Sequence, residues 1–237
     1  MDTNSVELLN KDPQYIEKCN EYMQYIETHK NNVLYAYNTY FKNRMNYVFD
    51  NINNELNTKI IDILDKQIPN HDNSKYTDDE FYAYRVHFYP TDLEKERMMN
   101  DDEYDKLCDL SFDEAVKHHV MNNSHHPEFY HYNKVPIVDD YIVAAYHPYK
   151  NEKYNPDEVD MGICDIIEMI CDWISMSIHY KNENNCYIGW YTSNSSIDER
   201  NAMSVKTKMI VEKITSKIFP NEYELSDSPI WLLKNKE

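Results

Sequence analysis

Two glycines in 237 residues constrain this chain more than any other feature. A Rossmann fingerprint or a P-loop needs several glycines close together, so neither can be built here. An all-β sandwich or barrel needs many tight turns, and glycine supplies most of them. Helix is what remains, and the apolar spacing agrees. Tyr15, Ile16, Cys19, Tyr22, Met23 and Ile26, then Val33, Leu34 and Tyr37, recur at helical intervals. The expected fold class is all-α, a helical bundle.

The remaining composition narrows the function. Forty-two acidic against 24 basic residues give a formal net charge of -18. That argues against long nucleic acid, whose phosphates need clustered Lys and Arg. It leaves room for a small phosphorylated ligand, because a metal can supply positive charge locally. Hydrophobic residues at 41% and aromatics at 14% are enough for a folded core, so the acid excess is not a sign of disorder. No apolar run is long enough to span a membrane. The polar, acidic start MDTNSVELLNKDPQ resembles neither a signal nor a transit peptide. Cys19, Cys108, Cys164, Cys171 and Cys186 are scattered, with no C-x-x-C pair, which suits reduced thiols in a cytoplasmic protein.

Helices are expected from Pro13 to about residue 50 with a break, over 56–68 up to Pro69, and from Thr77 to about Tyr89. Thr77 is the expected N-cap of the last, with Asp78, Asp79 and Glu80 in its first turn. Further helices are expected over 101–121, 157–179 and 197–219. The stretch 122–155 reads as loop-rich, with 138–145 a short strand or helix. Residues 1–220 read as one domain. Residues 221–237 read as a tail docking through Ile230, Trp231 and Leu232.

The chemistry concentrates at three places. The first is His71-Asp72-Asn73-Ser74-Lys75, where a helix is expected to end. Imidazole and an adjacent carboxylate can both reach one divalent metal, and Lys75 can hold an anionic oxygen. The dipeptide alone is a weak signal and more often marks a capped helix end. The second is His118-His119, Asn123 and His125-His126-Pro127-Glu128, too dense in histidine for core packing. The third is Asp172 in the most apolar helix, where an isolated buried carboxylate is costly and calls for a partner. Glu168, one turn earlier, either shares that role or orients a ligand. His29 stands alone on the first helix.

The order of these signals resembles the HD-domain superfamily of metal-dependent phosphohydrolases, over residues from about 15 to 180. HDNSK is similar to the HDxxK of the HD-GYP branch. His125-His126-Pro127-Glu128 is similar to its His-His-Glu, and CDWISMS to the helix bearing its final Asp. The nearest pattern is that of an uncharacterised bacterial and phage family. It pairs HD-x-SK with E-F-x-x-Y (Glu80, Phe81, Tyr84) and H-x-x-x-N-x-H-H-P-E (His119, Asn123, His125, His126, Pro127, Glu128).

The resemblance implies two divalent ions, with Fe, Mn, Zn, Ni and Mg not distinguished. His29, His71, Asp72 and Asp172 would hold one. Asp72, His119, His125 and His126 would hold the other, with Asp72 bridging and His118 the rival of His119. Lys75 and Arg85 would meet the phosphate, and Glu128 would orient a ligand histidine. The glycine-tyrosine-proline element of the cyclic-dinucleotide enzymes is absent, with Tyr130 and Tyr132 in its region. His87, His131, His147 and His179 have no counterpart and read as structural. The implied function is phosphohydrolysis of a nucleotide or other small phosphate ester in a bacterial cell or phage-infected host. The alternatives are a di-iron oxygenase, as in the family of myo-inositol oxygenase, and a non-catalytic metal-binding protein.

Overall fold

The computed structural model describes residues 13–49, 53–133, 160–179 and 203–220, apart from the side chains of His131 and Tyr132. Among them the regular structure is helix, with no β-strand. The helices are α1 (Pro13–Ala36), α2 (Met45–Val48), α3 (Asn54–Gln67), α4 (Phe81–Phe88), α5 (Asp92–Asn100), α6 (Asp102–Asn122), α7 (Pro127–Asn133), α8 (Ile163–His179) and α9 (Val205–Ile218). The expected break in the first helical run is a single π turn at Tyr37–Phe41. The expectations for 138–145, for the tail at 221–237 and for Cys186 and His147 lie outside the described residues.

Local chemistry sets most of the boundaries. The Asn53 side chain accepts from the Leu56 N–H at 2.8 Å and starts α3. Asp101 accepts from Glu103 and Tyr104 and starts α6. Ser204 caps α9 through Thr207. Thr77 does not act as expected. Its hydroxyl donates to the Ser74 carbonyl at 2.7 Å, and α4 begins only at Phe81. Two helices went unforeseen. The first is α5, begun by a Thr91–Glu94 capping box. The second is α7, begun at Pro127 inside the supposed loop.

The chain divides into two compact units. The first combines Met1–Thr28 with Asp72–Asn123, and the second combines His29–His71 with Ser124–Glu237. The first unit has an aromatic core in which Tyr22, Ile26, Tyr84 and Ala115 are joined by Tyr25, Phe81, Tyr89 and Phe112. The Tyr22 ring alone meets Phe81 at 5.2 Å, Tyr89 at 5.9 Å and Tyr84 at 6.5 Å. Part of the chain's complement of 22 tyrosines thus lies in the core. The second unit has a core richer in aliphatic residues, which also holds Tyr37, Phe41, Phe49, Tyr130, Trp173 and Phe219, and is centred on α8, which packs against α3, α9 and the π turn. Ile166, Ile167, Met169, Ile170, Cys171 and Ile174 are all essentially inaccessible.

Candidate metal centre

In the second unit, α1 presents His29, the turn after α3 presents His71, and α8 presents Asp172. His29 Nε2 lies 3.2 Å from His71 Nε2 and 3.2 Å from Asp172 Oδ1. His71 Nε2 lies 3.8 Å from the same oxygen. The rings are buried at 4% and 1% exposure.

Each ring's other nitrogen has a polar partner. The Ser175 hydroxyl lies 2.9 Å from His29 Nδ1 and 3.2 Å from the His29 backbone carbonyl. Glu168 Oε1 lies 2.8 Å from His71 Nδ1 and, as a carboxylate, can only accept. With the proton on Nδ1, each imidazole turns an Nε2 lone pair inward and a cation satisfies both nitrogens and Asp172 Oδ1. With a proton on Nε2, His29 instead donates to Asp172 Oδ1. The three atoms lie close enough to share one ion.

The spacing suits a metal. Metal–nitrogen bonds of about 2.0–2.1 Å put donors about 90–110° apart around one ion at roughly 2.8–3.4 Å from each other. Both 3.2 Å separations fall in that window, and the His71–Asp172 pair is splayed wider. Two imidazoles and a carboxylate suit divalent first-row metals. Burial alone would raise the Asp172 carboxyl. The hydrogen bond from His29 and the fields of His29, His71 and His125 outweigh burial and hold the carboxyl well below the usual range.

His125 and Gln67 gather round Glu168, the partner of His71 Nδ1. His125 is 2% exposed, with its ring 4.4 Å from that of His71 and its Nδ1 3.6 Å from Glu168 Oε1. His126 is half-buried, with its ring 4.3 Å from that of His125. Glu128 lies half-buried in the first turn of α7. Gln67, the last residue of α3, donates to Glu168 Oε2 at 2.5 Å.

The first unit holds Asp72, Lys75, His118 and His119. Asp72 is the only non-glycine residue with positive φ among those described, at 55°. Aspartate tolerates that conformation better than most residues. Its Oδ2 accepts from Lys75 Nζ at 2.6 Å, and its Oδ1 lies 3.4 Å from His119 Nε2. Glu80, fully buried, meets His118 Nδ1 at 2.7 Å and His119 Nδ1 at 3.0 Å. Burial would raise the Glu80 carboxyl, but the two histidines hold it below its ordinary range. The doublet is therefore asymmetric. His119 is buried with Nε2 towards Asp72, while His118 Nε2 points to the exposed Asp79 at 3.6 Å. Burial would lower the Lys75 ammonium, but the adjacent Asp72 carboxylate raises it further.

Arg85 requires a correction. Expected to reach a phosphate, it is 1% exposed, and its two terminal nitrogens clasp Glu94 at 2.5 and 2.7 Å. The guanidinium serves the core of the first unit. His87 stacks on Phe112 with ring centres 3.7 Å apart, and His179 is exposed at the end of α8. Glu80, Ser175 and Gln67 had no assigned role in the sequence, although Glu80 lies in the E-F-x-x-Y motif.

The chain matches, over residues 18–217, a family described as a family of unknown function, DUF5662. No curated protein and no solved structure matches it.

Proposed function

The chain belongs to the DUF5662 family, and we propose that it is a metal-dependent phosphohydrolase acting on a nucleotide or another small phosphate ester. One observation carries the metal: His29 Nε2, His71 Nε2 and Asp172 Oδ1 converge within 3.8 Å of one another, with each ring's other nitrogen beside a polar partner. A divalent ion held there would polarise a phosphoryl oxygen and lower the pKa of water beside it. Ser175 and Glu168 keep the His29 and His71 rings turned for ligation. In the first unit, Lys75 keeps its ammonium across the working pH range and offers fixed positive charge to an anionic oxygen. The HD-domain resemblance assigns a second ion to Asp72, His119, His125 and His126, and to Glu128 the orienting of a ligand histidine. The charge of -18 favours a small substrate over a long polyanion.

The donor set also supports a second reading. Two histidines and one carboxylate are the ligands of non-haem iron oxygenases. Metal analysis of the purified chain, with a screen of nucleotides and nitrophenyl phosphates and a measurement of oxygen uptake, separates the two. Phosphate ester turnover that disappears in His29→Ala and Asp72→Asn supports the hydrolase. Iron with oxygen uptake and no phosphate release overturns it. Bound metal with neither reaction leaves a binding protein.

A further inference from the structure

We propose that Asp165 is the positioning residue of this metal centre, a buried carboxylate that holds the segments bearing its histidines against the helix bearing Asp172. The inference rests on the metal reading above and concerns only the second unit. Asp165 lies on α8, three residues before Glu168 and seven before Asp172, so the three acids share one stripe of the helix. Its Oδ1 accepts from Gln67 Nε2 at 2.6 Å and from Ser124 Oγ at 2.6 Å, and its Oδ2 accepts from the Tyr130 hydroxyl.

Each donor comes from a segment that presents a histidine. Gln67 closes α3 four residues before His71. Ser124 directly precedes His125. Tyr130 lies on α7, one turn after His126. The Gln67 amide also connects the two acids, since its other proton goes to Glu168 Oε2 at 2.5 Å, and Glu168 Oε1 in turn takes His71 Nδ1. An unbroken path of hydrogen bonds therefore runs from Asp165 to the inward lone pair of His71.

Two further observations mark this as more than packing. A carboxylate inside an apolar helix is costly, and burial pushes the Asp165 carboxyl up despite the hydrogen bonds it accepts. The space around it is also reserved. A Cβ at Gly162 would come 3.1 Å from Asp165 Oδ2 and 3.2 Å from the Tyr130 oxygen, which the Gly162 N–H itself contacts at 3.0 Å.

The test is a Co²⁺ titration of the full chain, followed by the metal's visible absorption bands and paired with the melting temperature of the metal-free protein. Asp165→Asn replaces an acceptor with a donor facing donors. Ser124→Ala and Tyr130→Phe each remove a single donor and keep the proposal testable should Asp165→Asn not fold. Loss of an orienting partner typically weakens a metal about 10–100-fold. A loss in that range for Asp165→Asn, with shifted Co²⁺ bands and smaller losses for the other two, is the expected result. Variants that melt earlier but keep the wild-type Co²⁺ affinity and bands overturn it, leaving Asp165 a packing residue. Failure of the metal reading looks different: the wild-type chain then binds no Co²⁺, or binds it equally well after His29→Ala.

Discussion

His29 and Asp172 meet across two helices of one unit, Nε2 to Oδ1 at 3.2 Å, on a ring whose other nitrogen is held by Ser175. The contact makes sense as half of a coordination sphere. If so, His29→Ala and Asp172→Asn each weaken Zn²⁺ or Co²⁺ by more than the roughly 100-fold that losing an orienting partner can cost. Competition against a chromophoric chelator measures this. Wild-type affinity in either variant removes that residue from the ligand set.

The orienting partners should behave more mildly. Ser175→Ala frees the His29 ring to flip. Glu168→Gln places an amide against the Gln67 amide, setting donor against donor. Each is expected to cost about 10–100-fold in metal affinity, with the helical content by circular dichroism unchanged. A variant that loses helix along with metal points to misfolding instead.

How far the sequence reached follows from what each signal depends on. Two of the helices were legible because α3 and α8 carry their periodicity within themselves. Asp172 was legible because it stands in the interior of an apolar helix, whereas Asp165 stands in the first turn of the same helix, where an acid is ordinary. Short, polar α5 was missed, since its buried anchor is Glu94, a charged residue paired with Arg85 rather than an apolar stripe. Arg85 was misread for the same reason: a guanidinium suits a phosphate or a carboxylate equally, and only the fold chooses. Glu80 looks like any surface glutamate until α6 delivers two histidine nitrogens to it. Gln67, Ser124 and Asp165 depend on contacts about a hundred or some forty positions apart, which no local pattern encodes.

Acid should reveal the Asp172 pairing in the metal-free protein. Its carboxyl is held below the usual range in the folded state, so the folded chain binds that proton less readily than the unfolded chain. The resulting stability is fully present above the unfolded value of about 4 and is lost as pH falls through the depressed folded one. Urea unfolding of wild type and Asp172→Asn between neutral pH and pH 3 checks the sign. The wild-type advantage should be largest near neutrality and shrink towards pH 3. An advantage that grows on acidification contradicts the pairing.

Lys75 separates binding from turnover. Its ammonium stays charged, so it neither donates nor accepts a proton in the reaction, and its contribution is a fixed positive end. Lys75→Met should leave the metal bound by His29, His71 and Asp172 in place. Removing one preorganised donor to a developing oxyanion costs about 10²–10³-fold in kcat, and a loss of that order on a nitrophenyl phosphate is expected. Unchanged kcat with a raised KM assigns Lys75 to ground-state binding alone.

Arg85 tests the opposite kind of role. Its two hydrogen bonds to Glu94 are wholly buried, and Glu94 also accepts from the Thr91 N–H at the start of α5. Arg85→Met leaves a buried carboxylate without its cation, and breaking such a pair from one side costs about 3–5 kcal/mol. Removing the second charge as well, in Arg85→Met with Glu94→Gln, keeps an acceptor for the Thr91 N–H and should recover much of that loss. Metal affinity should stay at the wild-type level in both variants, because the His29, His71 and Asp172 cluster belongs to the other unit. Denaturant unfolding read beside a Co²⁺ titration decides the matter: a stability loss that the double variant repairs marks a core ion pair. Unchanged stability with lost phosphate affinity would return Arg85 to the substrate.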